Sequence, residues 1–435
     1  MLHRVVAKGR CTPAGRAAFV AFEDMKTSYP LPLRFVSKTA FGAEPIVKSA
    51  KILLPAGRIR FDLRVKLGVK NMPPVQLHSI FSAAVLCHAN PDATARLLAI
   101  TLFAAAGICS SANGQVPPEL SRWMQPQVWQ RDAEGPIVSL GKEGEFDDRH
   151  IFAPVVALED GRYWLWYCGS RGNPANRVFR LGLATGLGDK LFEKHPGNPV
   201  YEFGDGAHSV LTPALLRQGD GNVLREDGKL RLWFAAATLG KGGLHTLRET
   251  TSSDGIHWDK PSSVLLENVY CPTVLKTEAG YEMWFSDVRQ RPWLIRHAVS
   301  DDGARWKVTE RPALRLSQDW EAEVLVYPTV LKIDGAYLMW YGSYFNAIRR
   351  ETTAIGFAAS TDGKKWHKLP QNPVLRPDPK RPWESNYVGS GCVMRLADGS
   401  FRYWYASRKA PPFENLYFAI NTARWSGPNN DRPGD

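Results

Sequence analysis

From about residue 140 onwards, apolar and polar positions alternate in short runs broken by Gly, Pro and Asp, a period of two that predicts strands and turns. One phrase of alternating aromatic and apolar residues occurs five times: YWLWYCGS at 163–170, LRLWFAA at 230–236, YEMWFSD at 281–287, YLMWYGS at 337–343 and FRYWYAS at 401–407. Its tryptophans, Trp166, Trp233, Trp284, Trp340 and Trp404, lie 67, 51, 56 and 64 residues apart, room for a four-stranded sheet with generous loops in each copy. Ahead of each copy stands a second apolar run that ends in a turn, at 153–161, 212–221, 271–280, 327–335 and 391–399. Behind each stands a third, at 181–185, 249–255, 296–303, 355–363 and 417–423. Three of these continue as Asp-Gly-x-x-Trp, at 254–258, at 362–366 and, with one extra residue, at 301–306. There the Asp-Gly supplies a turn with positive φ, and the Trp is expected to pack between neighbouring sheets. The runs NPVY at 198–201, SVLL at 263–266 and NPVL at 372–375 are expected as fourth, edge strands.

Five repeats of about four antiparallel strands, none able to bury both faces alone, predict an all-β fold, a five-bladed β-propeller that starts near Asp148 and ends near Trp425. The combination of x-P-x-V-L, G-x-Y-x-M-W-Y and A-x-S-x-D-G-x-x-W resembles the five-bladed propeller glycosidase superfamily of arabinanases, levansucrases and invertases over about residues 140–425. That resemblance implies a carbohydrate-active enzyme, first of all a glycoside hydrolase. A glycoside phosphorylase and a non-catalytic glycan-binding propeller are the alternatives, since one fold hosts many functions. The S-x-D-G-x-x-W phrase is also similar to the sialidase Asp-box, but it is one residue shorter and sialidase propellers usually have six blades.

Charge changes the picture at one end of the chain. The net charge of +12 would suit a polyanion, yet residues 1–112 hold 15 Lys and Arg against 5 Asp and Glu, and residues 113–435 hold 40 against 38. A nearly neutral globular part argues against a nucleic-acid surface. The basic stretch closes with Arg96, an apolar core and small residues over 97–112, the pattern of a secretory signal cut after Ala112 or Gly114 and preceded by a true start downstream, such as Met72. The expected division is an extension, 1–112, outside the fold, and a secreted or periplasmic propeller domain, 113–435. A short buried apolar helix is the alternative for the apolar core. No apolar run reaches the roughly 18 to 20 residues of a membrane span. Cys11, Cys87 and Cys109 precede the cut, and Cys168, Cys271 and Cys392 are too few and too scattered for a zinc cluster or a disulfide framework, so they read as core residues.

In a propeller, the residues just before each innermost strand meet the loops joining second to third strands at one mouth, the natural pocket. An aromatic followed by an acid recurs there, as Phe146-Asp147, Trp320-Glu321 and Trp383-Glu384, with Phe203-Gly204-Asp205 as a looser copy. Acids that recur are as suited to locking blades as to chemistry, so the residues that break the repeat are the better candidates. Asp148 is expected as base or nucleophile and Glu323 as acid, with Glu267 or Asp287 adjusting that acid, the set that glycoside cleavage requires. Arg149, His150, Arg171, His208, Asp287, Arg289, Tyr344 and Arg408, with Asn346 beside them, are expected to contact substrate. Arg149, Arg171 and Arg289 gathered at the mouth would favour an anionic saccharide or phosphate. The resembled enzymes commonly place an Asp directly before the first-blade proline and a Glu directly before the third, where this chain has Ala153 and Cys271. No cofactor is expected. A central Ca2+ would suit the fold, but no residue pattern indicates one, and no phosphate-cradling glycine loop, His-Glu-x-x-His or nucleophile elbow is present. The expected partner is an oligo- or polysaccharide.

Overall fold

The five aromatic phrases form the second strands of five antiparallel meanders in a computed structural model, which describes residues 46–53, 59–67, 75–83, 116–172, 177–187, 191–238, 243–344, 353–409 and 418–428. The chain divides into two units, Met1–Asn113 and Gly114–Asp435. In the first, where the sequence pattern suggested no strand, a meander runs through β1 (Ile46–Leu53), β2 (Ile59–Leu67) and β3 (Val75–Ala83). The signal-like segment 97–112 lies outside the described residues.

The second unit begins with β4 (Gln130–Arg131) and β5 (Val138–Ser139). The first meander is β6 (His150–Glu159), β7 (Arg162–Ser170), β8 (Arg180–Gly186) and β9 (Glu193–Lys194). The second is β10 (His208–Leu215), β11 (Leu230–Thr238), β12 (Thr246–Ser252) and β13 (Leu266–Glu267). The third is β14 (Val269–Thr277), β15 (Gly280–Asp287), β16 (Leu294–Ser300) and β17 (Lys307–Val308). The fourth is β18 (Ala322–Ile333), β19 (Ala336–Tyr344), β20 (Thr353–Ser360) and β21 (His367–Lys368). The fifth, β22 (Tyr387–Arg395), β23 (Phe401–Arg408) and β24 (Phe418–Trp425), is completed by β4 and β5, which pair with β24 at Arg131↔Ala423 and Ser139↔Ala419. Residues ahead of the first meander thus finish the last. The first strands touch in the cyclic order β6, β10, β14, β18, β22 and back to β6, a propeller-like all-β arrangement. Among the described residues the only helical element is a 3-10 turn at Pro118–Leu120, and no helix is long and apolar enough to cross a membrane.

The outer strands fall a few residues earlier than expected in the first and fourth meanders, at β9 and β21. NPVY and NPVL contribute a single bridge each, Tyr201 to Leu181 and Leu375 to Ile355. Proline has no N–H for a ladder, and the preceding Asn stands in with its side-chain amide. Asn198 bonds both backbone groups of Leu183 at 2.8 and 2.9 Å, and Asn372 both of Phe357 at 2.8 and 2.9 Å.

All five repeat tryptophans are fully buried. Trp166 Nε1 donates to Gly255 O (2.9 Å), Trp233 Nε1 to Gly303 O (2.8 Å) and Trp284 Nε1 to Gly363 O (2.7 Å), so each Asp-Gly-x-x-Trp turn receives the tryptophan of the preceding meander. The turn's own tryptophan packs edge-on against it, at 6.3 Å for Trp258, 6.4 Å for Trp306 and 6.1 Å for Trp366. Glycine is needed in the turn twice over. At Gly303 φ is +75° and at Gly363 +70°, and a Cβ on either would stand 2.8 Å from the neighbouring indole. The second copy has no extra residue after all: Asp302, not Asp301, caps the turn, its Oδ1 accepting Ala304 N and Arg305 N as Asp254 and Asp362 do in theirs. Cys168, Cys271 and Cys392 are buried free thiols.

Candidate functional site

Three of the recurring acids tie strands together. Asp147 Oδ2 accepts from Tyr167 OH (2.7 Å) and Lys194 Nζ (2.6 Å). Glu321 accepts from Tyr341 OH (2.8 Å) and Lys368 Nζ (2.5 and 2.7 Å), and Glu384 from Tyr405 OH (2.6 Å) and Arg131 Nε (2.9 Å). Each acid joins the second strand of its meander to the outermost one, and all three are buried. Burial pushes the Glu384 carboxyl above its ordinary value despite Tyr405, Arg131 and Arg381, and it drives the Tyr167, Tyr341 and Tyr405 phenols well up. In the second and third meanders the residue after the repeat tryptophan is Phe234 or Phe285, which has no hydroxyl to offer, and no such lock forms among the described residues.

The strand ends define the mouth. His150 pairs with Ser170, His208 with Thr238, Val269 with Asp287, Ala322 with Tyr344 and Tyr387 with Arg408, so these positions share one end of their sheets. Just inside, each first strand carries a bulge whose residue has left-handed backbone: Ala153 (φ 51°), Thr212 (46°), Cys271 (52°), Tyr327 (55°) and Ser390 (38°). Such a conformation costs an L residue on the order of 1–3 kcal/mol. Neighbouring strands share its support, with Ser390 Oγ accepting Ala153 N (3.2 Å) and Thr212 Oγ1 accepting Cys271 N (3.1 Å). None of the five is a carboxylate. Strand β18 differs from the other first strands in a second bulge, between Ala322 and Leu325, where Glu323 takes φ 55°. Its Oε2 accepts from Arg291 (2.9 Å), and its carbonyl accepts Trp293 N (3.0 Å).

Asp148 Oδ2 accepts Gly144 N (2.8 Å), while its Oδ1 is buried and meets no donor. Asp287 accepts Arg289 N (3.1 Å) and lies 3.7 Å from Arg296 Nε. Glu267 is exposed at the end of the outer strand β13, opposite Thr246, rather than on a first strand. His208 serves its own turn, stacked on Phe203 at 4.6 Å and paired with Asp205, which the His208 amide and imidazole and the Ala207 amide hold down at about 2. Arg171 and Arg289 are exposed and Arg149 is half-buried; Arg149 Nε lies 3.9 Å from Asp148, and Arg171 lines a groove of about 1160 Å³ with Lys194, Tyr201, Phe203 and Trp258. Their long side chains favour hydration at the rim. Tyr344 is placed by its backbone alone, and Asn346 lies outside the described residues.

Among the described residues, two more cations stand at the mouth, the buried Arg408 and the half-buried Arg177, which the sequence reading missed. Arg408 is 8% exposed, with its guanidinium carbon 3.9 Å from the centre of the Tyr387 ring. Arg177 lies over Phe179 at 5.0 Å and approaches His150 Nδ1 at 3.2 Å. A guanidinium can only donate, which assigns Nδ1 as acceptor and the imidazole proton to Nε2. His150 stacks on Phe418 (4.1 Å) and meets Phe179 edge-on (5.1 Å). Burial, then Arg177 and Arg408, push His150 well below the ordinary histidine value, so it is neutral; burial and Arg408, against Tyr270, bring Arg177 down to about 10. The Tyr270 and Tyr327 hydroxyls stand 3.5 Å apart. Arg177 sits in the same loop as Arg171, just ahead of the third strand, so the rule that selected Arg171 contained it, but one sequence could not tell which arginine turns inward. Among the described residues no group of three or more His, Cys, Asp or Glu is placed to hold a metal ion.

No family model matches the chain. The uncharacterized proteins MT1551 and Rv1502 of Mycobacterium tuberculosis, from strains CDC 1551 / Oshkosh and ATCC 25618 / H37Rv, are each 28% identical to it over 225 residues, 47% of this chain and 71% of theirs. Among solved structures, a glycoside hydrolase superposes with a TM-score of 0.57 at 16% identity, over 74% of this chain and 98% of its own. A structure from work on the GH130 family of mannoside phosphorylases, which contains glycoside hydrolases that target beta-1,2 mannosidic linkages in Candida mannan, gives 0.53 at 13%, over 72% and 96%. The catalytic domain of a Coprinopsis cinerea GH62 alpha-L-arabinofuranosidase gives 0.51 at 13%, over 69% and 98%. Likeness at such identity is likeness of fold.

Proposed function

We propose that this chain is a carbohydrate-active enzyme, a glycoside hydrolase of the five-bladed propeller type, with its five meanders as the blades and the mouth at the ends of the first strands as its active site. Export, as the segment 97–112 suggests, belongs to the same reading. The solved structures that share the fold are named for glycoside chemistry, which favours a saccharide substrate. The observation that carries the catalytic reading is Glu323, an acid on a first strand held in strained backbone by a bulge that the other first strands lack. Strain of that kind persists where the surrounding structure over-determines it, and it gathers at working sites.

Glu323 is assigned as general acid and Asp148, with one carboxylate oxygen lacking a donor, as base or nucleophile. Asp287 rather than Glu267 is the third carboxyl, because Glu267 is exposed on an outer strand. The positions before the first and third prolines, Ala153 and Cys271, carry no acid, so the reacting pair has to come from the strand ends. A phosphorylase is the second reading, favoured by the guanidinium groups of the buried Arg408 and the half-buried Arg177. The test is turnover of Asp148→Asn and Glu323→Gln on aryl glycosides and polysaccharides, with and without phosphate. Removing a general acid or base is expected to lower kcat by roughly 10² to 10⁴ while substrate still binds. Near-normal turnover in both variants rejects the assignment.

A further inference from the structure

The second meander has no lock of the kind described, and the aromatic residue that would belong to one turns up in the wall of a groove. In the first and fourth meanders the aromatic residue ahead of the lock acid is buried against a third-strand glycine. A Cβ on Gly182 would stand 2.5 Å from Phe146, and one on Gly356 2.4 Å from Trp320. Those glycines pair with Tyr167 and Tyr341. Phe234 pairs instead with Arg248, a long side chain where the slot requires none, and Phe203, the counterpart of Phe146 and Trp320, stays half-buried. It stacks on His208 at 4.6 Å, with the Arg248 guanidinium carbon 5.7 Å from its ring centre.

The groove of about 1160 Å³ is lined by Phe203 and by Trp258, half-buried on the outer edge of the second meander, and it takes in Arg171, which follows the mouth end of β7. Most charges of its lining are matched within the protein. Arg180 meets Glu202 at 2.6 Å, Lys194 meets Asp147 at 2.6 Å, and Asp259 meets Lys229 at 2.8 Å. Arg171, Lys260 and Glu145, which lie outside these ion pairs, carry both signs.

We infer that this groove holds a stretch of an uncharged polysaccharide chain, as a second saccharide site beside the mouth. The proposal rests on reading the chain as a carbohydrate-active enzyme and names the form of its substrate, a polymer rather than a small glycoside. A sugar chain offers apolar C–H faces to aromatic rings and hydroxyls that both donate and accept, and the groove supplies half-buried rings beside matched carboxylates and cations. Its volume exceeds the roughly 300 to 1,000 Å³ of a pocket for a drug-sized ligand, which leaves room for more than one sugar ring. With the charges so matched, an anionic chain gains little.

The experiment is calorimetric titration of the full chain with soluble arabinan, levan and mannan, with the matching monosaccharides, and with polygalacturonate as an anionic chain, alongside cleavage of aryl glycosides. One neutral polymer is expected to bind at least about tenfold more tightly than its monosaccharide, and to hold that affinity in roughly 0.5 M sodium chloride. Trp258→Ala is expected to lose about tenfold in affinity for that polymer and Phe203→Ala a smaller factor, both with aryl glycoside cleavage unchanged. Trp366→Ala is the control, because Trp366 packs on Trp284 in the fourth meander's turn as Trp258 packs on Trp166, but stands outside the groove. It should bind the polymer like the parent. The proposal is overturned if no neutral polymer binds more tightly than its monosaccharide, if folded Trp258→Ala and Phe203→Ala both bind like the parent, or if Trp366→Ala loses as much as Trp258→Ala. Should Trp258→Ala not fold, Phe203→Ala decides. Aryl glycosides cleaved with no polymer bound would end this proposal and leave the glycosidase standing, while polymer binding with no glycoside cleaved would do the reverse.

Discussion

Asp147 and Asp148 are adjacent in the chain, and Glu321 and Glu323 lie two residues apart, yet each pair divides between two regions of the molecule. Asp147 and Glu321 are buried against a tyrosine of the second strand and a lysine of the outer strand. Asp148 and Glu323 stay at the mouth, bonded to a loop amide and to a half-exposed arginine. The same functional group therefore holds a meander together in one place and remains available for chemistry in the other. What separates them is the company: a lock acid meets a phenol and a cation whose places recur from meander to meander, and a mouth acid meets neighbours that do not recur.

Removing a lock's outer strand should have the largest effect. A chain beginning at Gln115 is expected to melt at the same temperature as the full chain. One beginning at Leu140 loses β4, β5, Gln127 and the Arg131 partner of Glu384 and is expected to show no cooperative transition in circular dichroism. An equally sharp transition in the shorter chain would mean that residues 116–139 do not hold the ring.

A smaller contrast separates the two kinds of acid. Glu384→Gln leaves Arg131 and Arg381 beside a neutral group in a buried place and should cost about 3–5 kcal/mol in urea denaturation. Glu323→Gln breaks a pair whose side chains are 54% and 41% exposed and should cost less than about 1 kcal/mol. Equal losses would erase the distinction between lock and mouth.

The smallest effect is a pH dependence at the mouth. His150 is held neutral in the folded protein by burial, Arg177 and Arg408, so its folded value lies below the unfolded one. The unfolded chain then takes up the extra proton. Stability from this group is fully present above about pH 6.5 and falls as the pH drops below it, by at most about 1.4 kcal/mol per unit. Replacing His150 by Gln should flatten that part of the stability curve between about pH 6.5 and 5. An unchanged slope would show that the mouth does not oppose protonation.

The locks were half legible in the sequence. The residue after the repeat tryptophan is Tyr167, Tyr341 or Tyr405 wherever an aromatic residue directly followed by an acid precedes the first strand, and Phe234 or Phe285 where no such adjacent pair does. An acid that travels with a phenol in this way is a structural acid, and both are visible in one chain. The cations that complete the locks were not, because Lys194, Lys368 and Arg131 come from outer strands whose register no local pattern specifies. At the mouth, His150 could be placed by counting back from Pro154 and Arg408 by counting on from Trp404, since each ends a paired strand. The inward turn of Arg177 could not.

By itself the sequence determined the three inner strands of each repeat and the number of repeats, because alternation and the left-handed freedom of glycine act over a few residues. Only the tertiary structure decided that Arg131 meets Glu384 across 253 residues, that Gln127 replaces a missing turn for Trp340, and that Ala153, Thr212, Cys271, Tyr327 and Ser390 take left-handed backbone together around one ring. These outcomes depend on closing a circle of sheets. Bulges, pairings and buried charges at the closure answer to neighbours that come from other meanders, and no stretch of chain short enough to have its own pattern contains them.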